Sequence, residues 1–256
     1  MKGNNSITDK FTVVIPARYA SSRLPGKVLC DINGKTLLER VYDRAKLANP
    51  DKIIIATDHT KVFNAASKFA DMIVLTPDSL NSGTERIASV VDKLNLEPDE
   101  IIVNVQGDEP FINPDFIKQV VKNLINNKAA DISTLAHYIE SESLSELSTS
   151  VLNPNTVKVV RDKNNFALYF SRSPIAYNKD YNYRYLRHIG LYCYRAGFVK
   201  KYMSSSQSDL EQAESLEQLR ALWHGFKIHV DTVSKENNIF LDVNTQEDLD
   251  AIRNII

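Results

Sequence analysis

The chain has 256 residues, 43% hydrophobic and 25% charged, the make-up of a globular protein with apolar mass for one large core. A net charge of −1 and a pI near 6.5 argue against a general nucleic-acid or membrane-surface binder. The two cysteines, Cys30 and Cys193, fall in no metal-ligand spacing, which argues against a disulfide framework or a zinc site and fits a reducing compartment.

Residues 1–10, MKGNNSITDK, are polar, have no apolar signal-peptide core, and read as a disordered leader. No apolar run reaches transmembrane length, so the expectation is a cytoplasmic protein with one domain over 11–256. Residues 11–15, FTVVI, are β-branched and almost wholly apolar, as in a strand buried on both faces of a parallel sheet, and Pro16 closes it. After a polar loop, Asn33-Gly34 marks a tight turn and Thr36 caps a helix whose apolar face is Leu37, Leu38, Val41, Ala45 and Ala48. Strands are expected at 52–57, 72–75 and 101–105, with helices at 60–70, from Ser82, and from Pro114. This alternation predicts an α/β fold with a doubly wound, mainly parallel sheet. Beyond residue 127 the rhythm breaks. Extended segments are expected at 131–139, 156–161, 165–171, 186–194 and 227–233, with helices at 207–223 and 245–256. The stretch 177–185, rich in tyrosine and asparagine, reads as an exposed arm.

The densest chemistry follows the first strand. Arg18, Ser21, Ser22, Arg23 and Lys27 lie within ten residues, with Pro25-Gly26 among them, off the carboxyl end of a buried strand. That is where an open α/β sheet binds its ligand. Arginine grips phosphate oxygens bidentately and lysine adds a point charge, so the loop suits a polyphosphate. Neither GxxxxGKS/T nor GxGxxG is present. Asp108, in VNVQGDEP after the fourth strand, lies at the same sheet edge. It either caps the turn before Pro110 or, facing the phosphates, holds a divalent ion such as Mg²⁺. Gln106 either reads the edge of a base or satisfies the loop backbone. Arg172 in ALYFSRSPI, His188 in RHIG, and Glu217 and Gln218 in ESLEQLRALW are further polar candidates. For each, a surface charge, a structural histidine or a solvated helix face is the plain alternative.

The runs VVIPARYASSRLPGK, IIIATDH, SGTERI, VNVQGDEPFI, NPNTVKVV, ALYFSRSPI, RHIGLYCYRAGF and ESLEQLRALWHGFKIHV together resemble the 3-deoxy-D-manno-octulosonate (Kdo) cytidylyltransferases. The resemblance implies a nucleotide-diphospho-sugar transferase-like fold and transfer of CMP from CTP to the anomeric hydroxyl of Kdo, with Mg²⁺, for lipopolysaccharide assembly. It implies that Arg18, Ser21, Ser22 and Lys27 hold the triphosphate, that Gln106 meets cytosine, and that Asp108 binds the metal. Arg172, His188, Glu217 and Gln218 would line the sugar site, with Arg172 on the Kdo carboxylate. The 177–185 arm would belong to a protruding dimerisation sub-region near 171–200, making a homodimer. One departure stands out. Where the family shows V-D-T-P-E-D-L, this chain has Val243-Asn244-Thr245-Gln246-Glu247-Asp248-Leu249. Asn244 takes the place of the second metal-binding aspartate, and Asp242, expected two residues earlier on the same strand face, is the alternative ligand. A relative acting on 8-amino-Kdo or a sialic acid, and a non-catalytic nucleotide-binding module, are the competing readings.

Overall fold

The computed structural model describes residues 10–21, 23–80, 82–139, 144–179, 183–236 and 238–255. The leader 1–9, Ser22 and part of the 177–185 arm lie outside the described residues. The first half alternates as its apolar runs dictate: β1 (Thr12–Pro16), a minor hairpin of β2 (Asp31–Ile32) and β3 (Lys35–Thr36), α1 (Leu37–Lys46), β4 (Lys52–Thr57), α2 (Thr60–Ala66), β5 (Met72–Leu75), α3 (Gly83–Lys93), β6 (Ile101–Asn104) and α4 (Pro114–Asn126). The minor hairpin turns at Asn33 and Gly34, both left-handed at φ 49° and 85°, as a two-residue turn between twisted strands requires. Side chains that accept from the free amides of a first turn mark the helix starts: Thr36 accepts from the Glu39 amide and Ser82 from the Glu85 amide.

The second half adds β7 (Ile132–Tyr138), α5 (Leu144–Leu152), β8 (Lys158–Arg161), β9 (Ala167–Ser171), β10 (Leu186–Arg195), α6 (Ala196–Met203), α7 (Asp209–Glu214), α8 (Gln218–Trp223), β11 (Ile228–Thr232) and α9 (Gln246–Ile255). The main sheet runs β11-β7-β10-β6-β1-β4-β5, with β8 and β9 paired beside β10. Strands β6, β1, β4 and β5 are parallel, while β10 runs antiparallel to β6, β7 and β8. The sheet is therefore parallel in its first half and mixed in its second. Period-two alternation serves both faces. Val13, Ile15 and Val103 pack toward α1, α2 and α4, whereas Val14, Ala56 and Ile102 pack toward α3, α6 and α8. The winding is double.

The region 171–200 is not one protruding unit. Its later part is β10, flanked by β7 on one side and by β6 and β8 on the other, followed by α6, whose Phe198 and Val199 are buried. Tyr177 is exposed, whereas Tyr185 is buried with its hydroxyl donating to the Ala176 carbonyl at 3.1 Å. The apolar alternation of LRHIGLYCY is that of a central strand, and the described residues 172–179 and 183–185 before it lie in no strand. The helix expected over 207–223 is two, α7 and α8, because Ser215 turns left-handed at φ 50°. Residues 240–245 form no strand, so Asp242 and Asn244 do not share a strand face. Among the described residues, no helix is long and apolar enough to cross a membrane.

Candidate active site

After β5 the chain crosses back to lay β6 against β1, on the side opposite β4. The strand order reverses there, and a crevice opens beyond the carboxyl ends of β1 and β6. The basic loop leaves β1 and the Gly107-Asp108 turn leaves β6, so topology brings the two together. Their approach is close. A side-chain carbon on Gly107 would sit 2.7 Å from the Pro16 carbonyl oxygen, so only glycine fits without displacing backbone.

The basic loop is held from behind. The Asp58 carboxylate accepts from the Tyr19 amide at 3.1 Å and from the Arg86 guanidinium at 2.7 Å. Arg86 is 2% exposed and also donates to Thr76 and to the Leu80 carbonyl. The ends of β4 and β5 thus brace the loop through one buried arginine, which explains Arg86 in SGTERI and Asp58 in IIIATDH. Gly26, left-handed at φ 71°, donates its amide to the Tyr19 carbonyl at 3.0 Å and turns Lys27 inward. Lys27 Nζ then lies 2.5 Å from Asp108 Oδ2 and donates to the Val243 carbonyl at 2.9 Å. The Val243 amide donates to the Asp108 carbonyl at 3.0 Å, and Arg23 Nη2 donates to Asn244 Oδ1 at 2.8 Å. Segment 243–245 is fixed in turn by the Asp248 carboxylate, which accepts from the Asn244 and Thr245 amides at the start of α9. Residues more than two hundred positions apart therefore meet at Lys27 and Asp108.

Three adjoining clefts open on this crevice. A basic cleft of about 310 Å³ is lined by Arg18, Ser21, Arg23, Lys27, Gln106, Asp108 and Asn244. An acidic cleft of about 310 Å³ is lined by Asp108, Glu109, Asp242, Arg187, His188 and Gln218. An aromatic cleft of about 420 Å³ is lined by Tyr192, Tyr194, Tyr202, Arg172, Glu217 and Gln218. Gln106 borders all three, and Asp108 joins the basic cleft to the acidic one. Gln106 Nε2 donates to Asn104 Oδ1 at 3.1 Å.

The electrostatics of the acidic cleft are uneven. Burial, together with the nearby Asp242 and Asp108 charges, raises the Glu109 carboxyl well above the usual carboxylate range, and Arg187 opposes the rise. The Asp242 carboxyl is raised for the same reasons, desolvation first and Asp108 next. His188 meets Thr134 Oγ1 at 3.0 Å and packs on Phe170 and Tyr192, and desolvation pushes its pKa down to about 3. Its ring is neutral at ordinary pH and offers a hydrogen bond rather than a charge. Gln218 is 8% exposed, and no described residue hydrogen-bonds its side-chain amide.

Of the residues expected at a site, Arg18, Ser21, Lys27, Gln106, Asp108 and Asn244 meet in the basic cleft, and Asp242, His188 and Gln218 in the acidic one. Arg172 borders the aromatic cleft, and Glu217 borders both the aromatic and the basic cleft. Ser22 lies outside the described residues. The Arg172 guanidinium is committed to protein: it donates to the carbonyls of Glu214, Pro154 and Ser215 at 2.7, 3.0 and 3.2 Å. The unengaged cation is Arg187, the one lysine or arginine among the described residues lining the acidic cleft, with no hydrogen bond or ion pair there. Sequence reasoning met this cation in the RHIG run but gave the sugar role to its neighbour His188, and it passed over Glu109 for Asp108. In both cases two adjacent polar residues carried the signal, and a one-residue window could not tell which faced the crevice.

The Asp108–Asp242 pair is a hard-oxygen donor set whose mutual repulsion a divalent cation would relieve, so these residues fit Mg²⁺. Among the described residues, no three His, Cys, Asp or Glu side chains gather to hold a metal by themselves.

Comparison with known proteins gives the family and the fold. The cytidylyltransferase family model matches residues 12–228. The 3-deoxy-manno-octulosonate cytidylyltransferase 2 of Actinobacillus pleuropneumoniae serotype 5b (strain L20) is 50% identical, covering 96% of this chain and 98% of its own. The enzyme of that name from Legionella pneumophila (strain Corby) is 50% identical over 95% of each chain. A solved structure of CMP:2-keto-3-deoxy-manno-octonic acid synthetase complexed with CTP superimposes with a TM-score of 0.87 at 39% identity, over 96% of this chain and 98% of that one. A cytidylyltransferase of Leptospira borgpetersenii shares the fold at 17% identity, with a TM-score of 0.58. The chain belongs to the cytidylyltransferase family and, within it, to the 3-deoxy-manno-octulosonate cytidylyltransferases.

Proposed function

We propose that this chain transfers CMP from CTP to the anomeric hydroxyl of Kdo, giving CMP-Kdo and pyrophosphate for lipopolysaccharide assembly. The observation that carries the reading is the meeting of a basic cleft and a sugar-sized polar cleft at one shared carboxylate, Asp108. The sugar oxygen attacks the α-phosphorus of CTP, the bond from that phosphorus to the bridging oxygen of the β-phosphate breaks, and the hydroxyl proton passes to solvent. Little covalent work falls to the protein, which positions the partners and offsets charge. Arg18, Ser21, Ser22 and Lys27 hold the triphosphate in this scheme. Gln106 presents its amide oxygen to the cytosine amine while its nitrogen stays on Asn104. His188 and Gln218 offer hydrogen bonds to sugar hydroxyls, Glu217 stands where the aromatic cleft meets the basic one, and Arg187 takes the sugar carboxylate as the free cation.

Mg²⁺ belongs to the same reading. Asp108 would hold it with Asp242 or Asn244, substrate phosphate oxygens completing its shell, and its chemistry there is neutralisation of phosphate charge. Since Asn244 Oδ1 already accepts from Arg23, Asp242 is the better second ligand. A homodimer built on the 177–185 arm and a cytoplasmic location complete the reading, the first supported by Tyr177, 92% exposed. The test is label transfer. With CTP labelled at the α-phosphorus, label should appear in a CMP–sugar conjugate only when Kdo is present. Label released as free CMP would contradict transfer to the sugar.

A further inference from the structure

The run NPNTVKVV carries none of the roles above, yet it contains Lys158, the largest fully buried side chain of the described residues at 0% exposure. A buried ammonium is costly unless its protons are satisfied. Lys158 Nζ donates to the Asn153 carbonyl at 3.2 Å and to the Arg172 carbonyl. Desolvation lowers its pKa, and the nearby Glu214 charge opposes that. Glu214 is the other half of the knot. Its Oε1 accepts from Ser171 Oγ at 2.6 Å and its Oε2 from the Arg172 amide at 2.8 Å. The Arg172 guanidinium closes the circuit through its three carbonyl bonds to Pro154, Glu214 and Ser215.

Ser215, at φ 50° and ψ 50°, is the left-handed cap of α7, a conformation that costs a residue with a Cβ on the order of 1 kcal/mol. The knot grips that corner from both sides. Leu216, Glu217 and Gln218 follow it directly. Glu217 Oε2 accepts from Thr84 Oγ1 at 2.9 Å, and Gln218 sits buried at the walls of the acidic and aromatic clefts with its amide turned to no described protein partner.

We propose that Lys158 and Glu214, acting through Arg172, are positioning residues that hold the Ser215 corner so that Gln218 faces the sugar. This rests on the sugar site assigned under Proposed function. Neither residue touches substrate in the scheme; each acts through the corner.

Two readouts test it. The first needs no substrate: Glu214→Gln leaves one acceptor oxygen of two and removes the charge that offsets the buried Lys158 ammonium, and amide hydrogen exchange at 215–220 should speed up about 10-fold. The second is kinetic: the same variant should raise KM for Kdo about 10-fold and leave KM for CTP within about 2-fold. Adding Ser215→Gly, which adopts the left-handed turn freely, should restore part of the lost sugar affinity. Lys158→Met should reproduce the split more severely. Should it fail to fold, Glu214→Gln still decides the question. Unchanged exchange at 215–220 would overturn the proposal, as would equal rises in both KM values. Absence of Kdo-dependent turnover in the parent enzyme would sink the functional reading instead, while the exchange result would still judge the corner.

Discussion

At the residue scale the account turns on Asp108. Lys27 holds it at 2.5 Å, the Val243 amide binds its carbonyl, and the Asp242 charge stands nearby. Asp108→Asn keeps the shape and removes the charge. It should lower kcat about 10²–10³-fold with unchanged melting temperature. Near-normal turnover would refute the assignment. Arg187→Met should raise KM for Kdo about 30-fold and leave KM for CTP unchanged, the loss of one charge-assisted pair. Equal effects on both substrates would send the carboxylate elsewhere. Asp108 and Lys27 were legible because each follows a buried strand or a glycine turn at a predictable sheet edge. The engagement of Arg172 with backbone was not, since its partners Pro154, Glu214 and Ser215 come from two distant segments.

At the scale of elements, the fold depends on close approach where β1 and β6 end. Gly107→Ala would drive a methyl to 2.7 Å from the Pro16 carbonyl oxygen. Relief requires backbone movement, so the variant should lose about 1–3 kcal/mol in urea unfolding and lose activity beyond that, because Asp108 moves with the turn. A fully stable and active variant would show that the turn tolerates displacement. The strands of the first half were legible because parallel strands buried on both faces are plain apolar runs, and their helices announce themselves with Thr36, Ser82 and Pro114. The second half hid more. Leu144–Leu152 is a helix with four serines and threonines among its nine residues, and Ala196–Met203 follows β10 with no breaker between them. The break between α7 and α8 sits on a serine, where a glycine would have announced it.

At the scale of the molecule, the enzyme is a sheet whose order turns back between β1 and β6, and every cleft described opens at that turn. Acid stability follows from what the clefts bury. His188 is neutral in the fold, with its pKa near 3, against about 6.5 when unfolded. A depressed histidine pKa means that the unfolded chain binds the proton first, so this contribution is intact above about pH 6.5 and falls away as pH drops toward 3. Urea unfolding at pH 7.5 and 5.0 should therefore show a larger loss for the parent chain than for His188→Asn, and equal losses would contradict burial of a neutral ring. The most direct test of cytidylyl transfer itself is pyrophosphate release from CTP with Mg²⁺, measured against Kdo, 8-amino-Kdo and N-acetylneuraminate side by side. Release that depends on Kdo is the predicted result. No release with any of the three, from an enzyme that still binds CTP, would contradict it and make the asparagine at 244 the mark of a binding protein that has lost its chemistry.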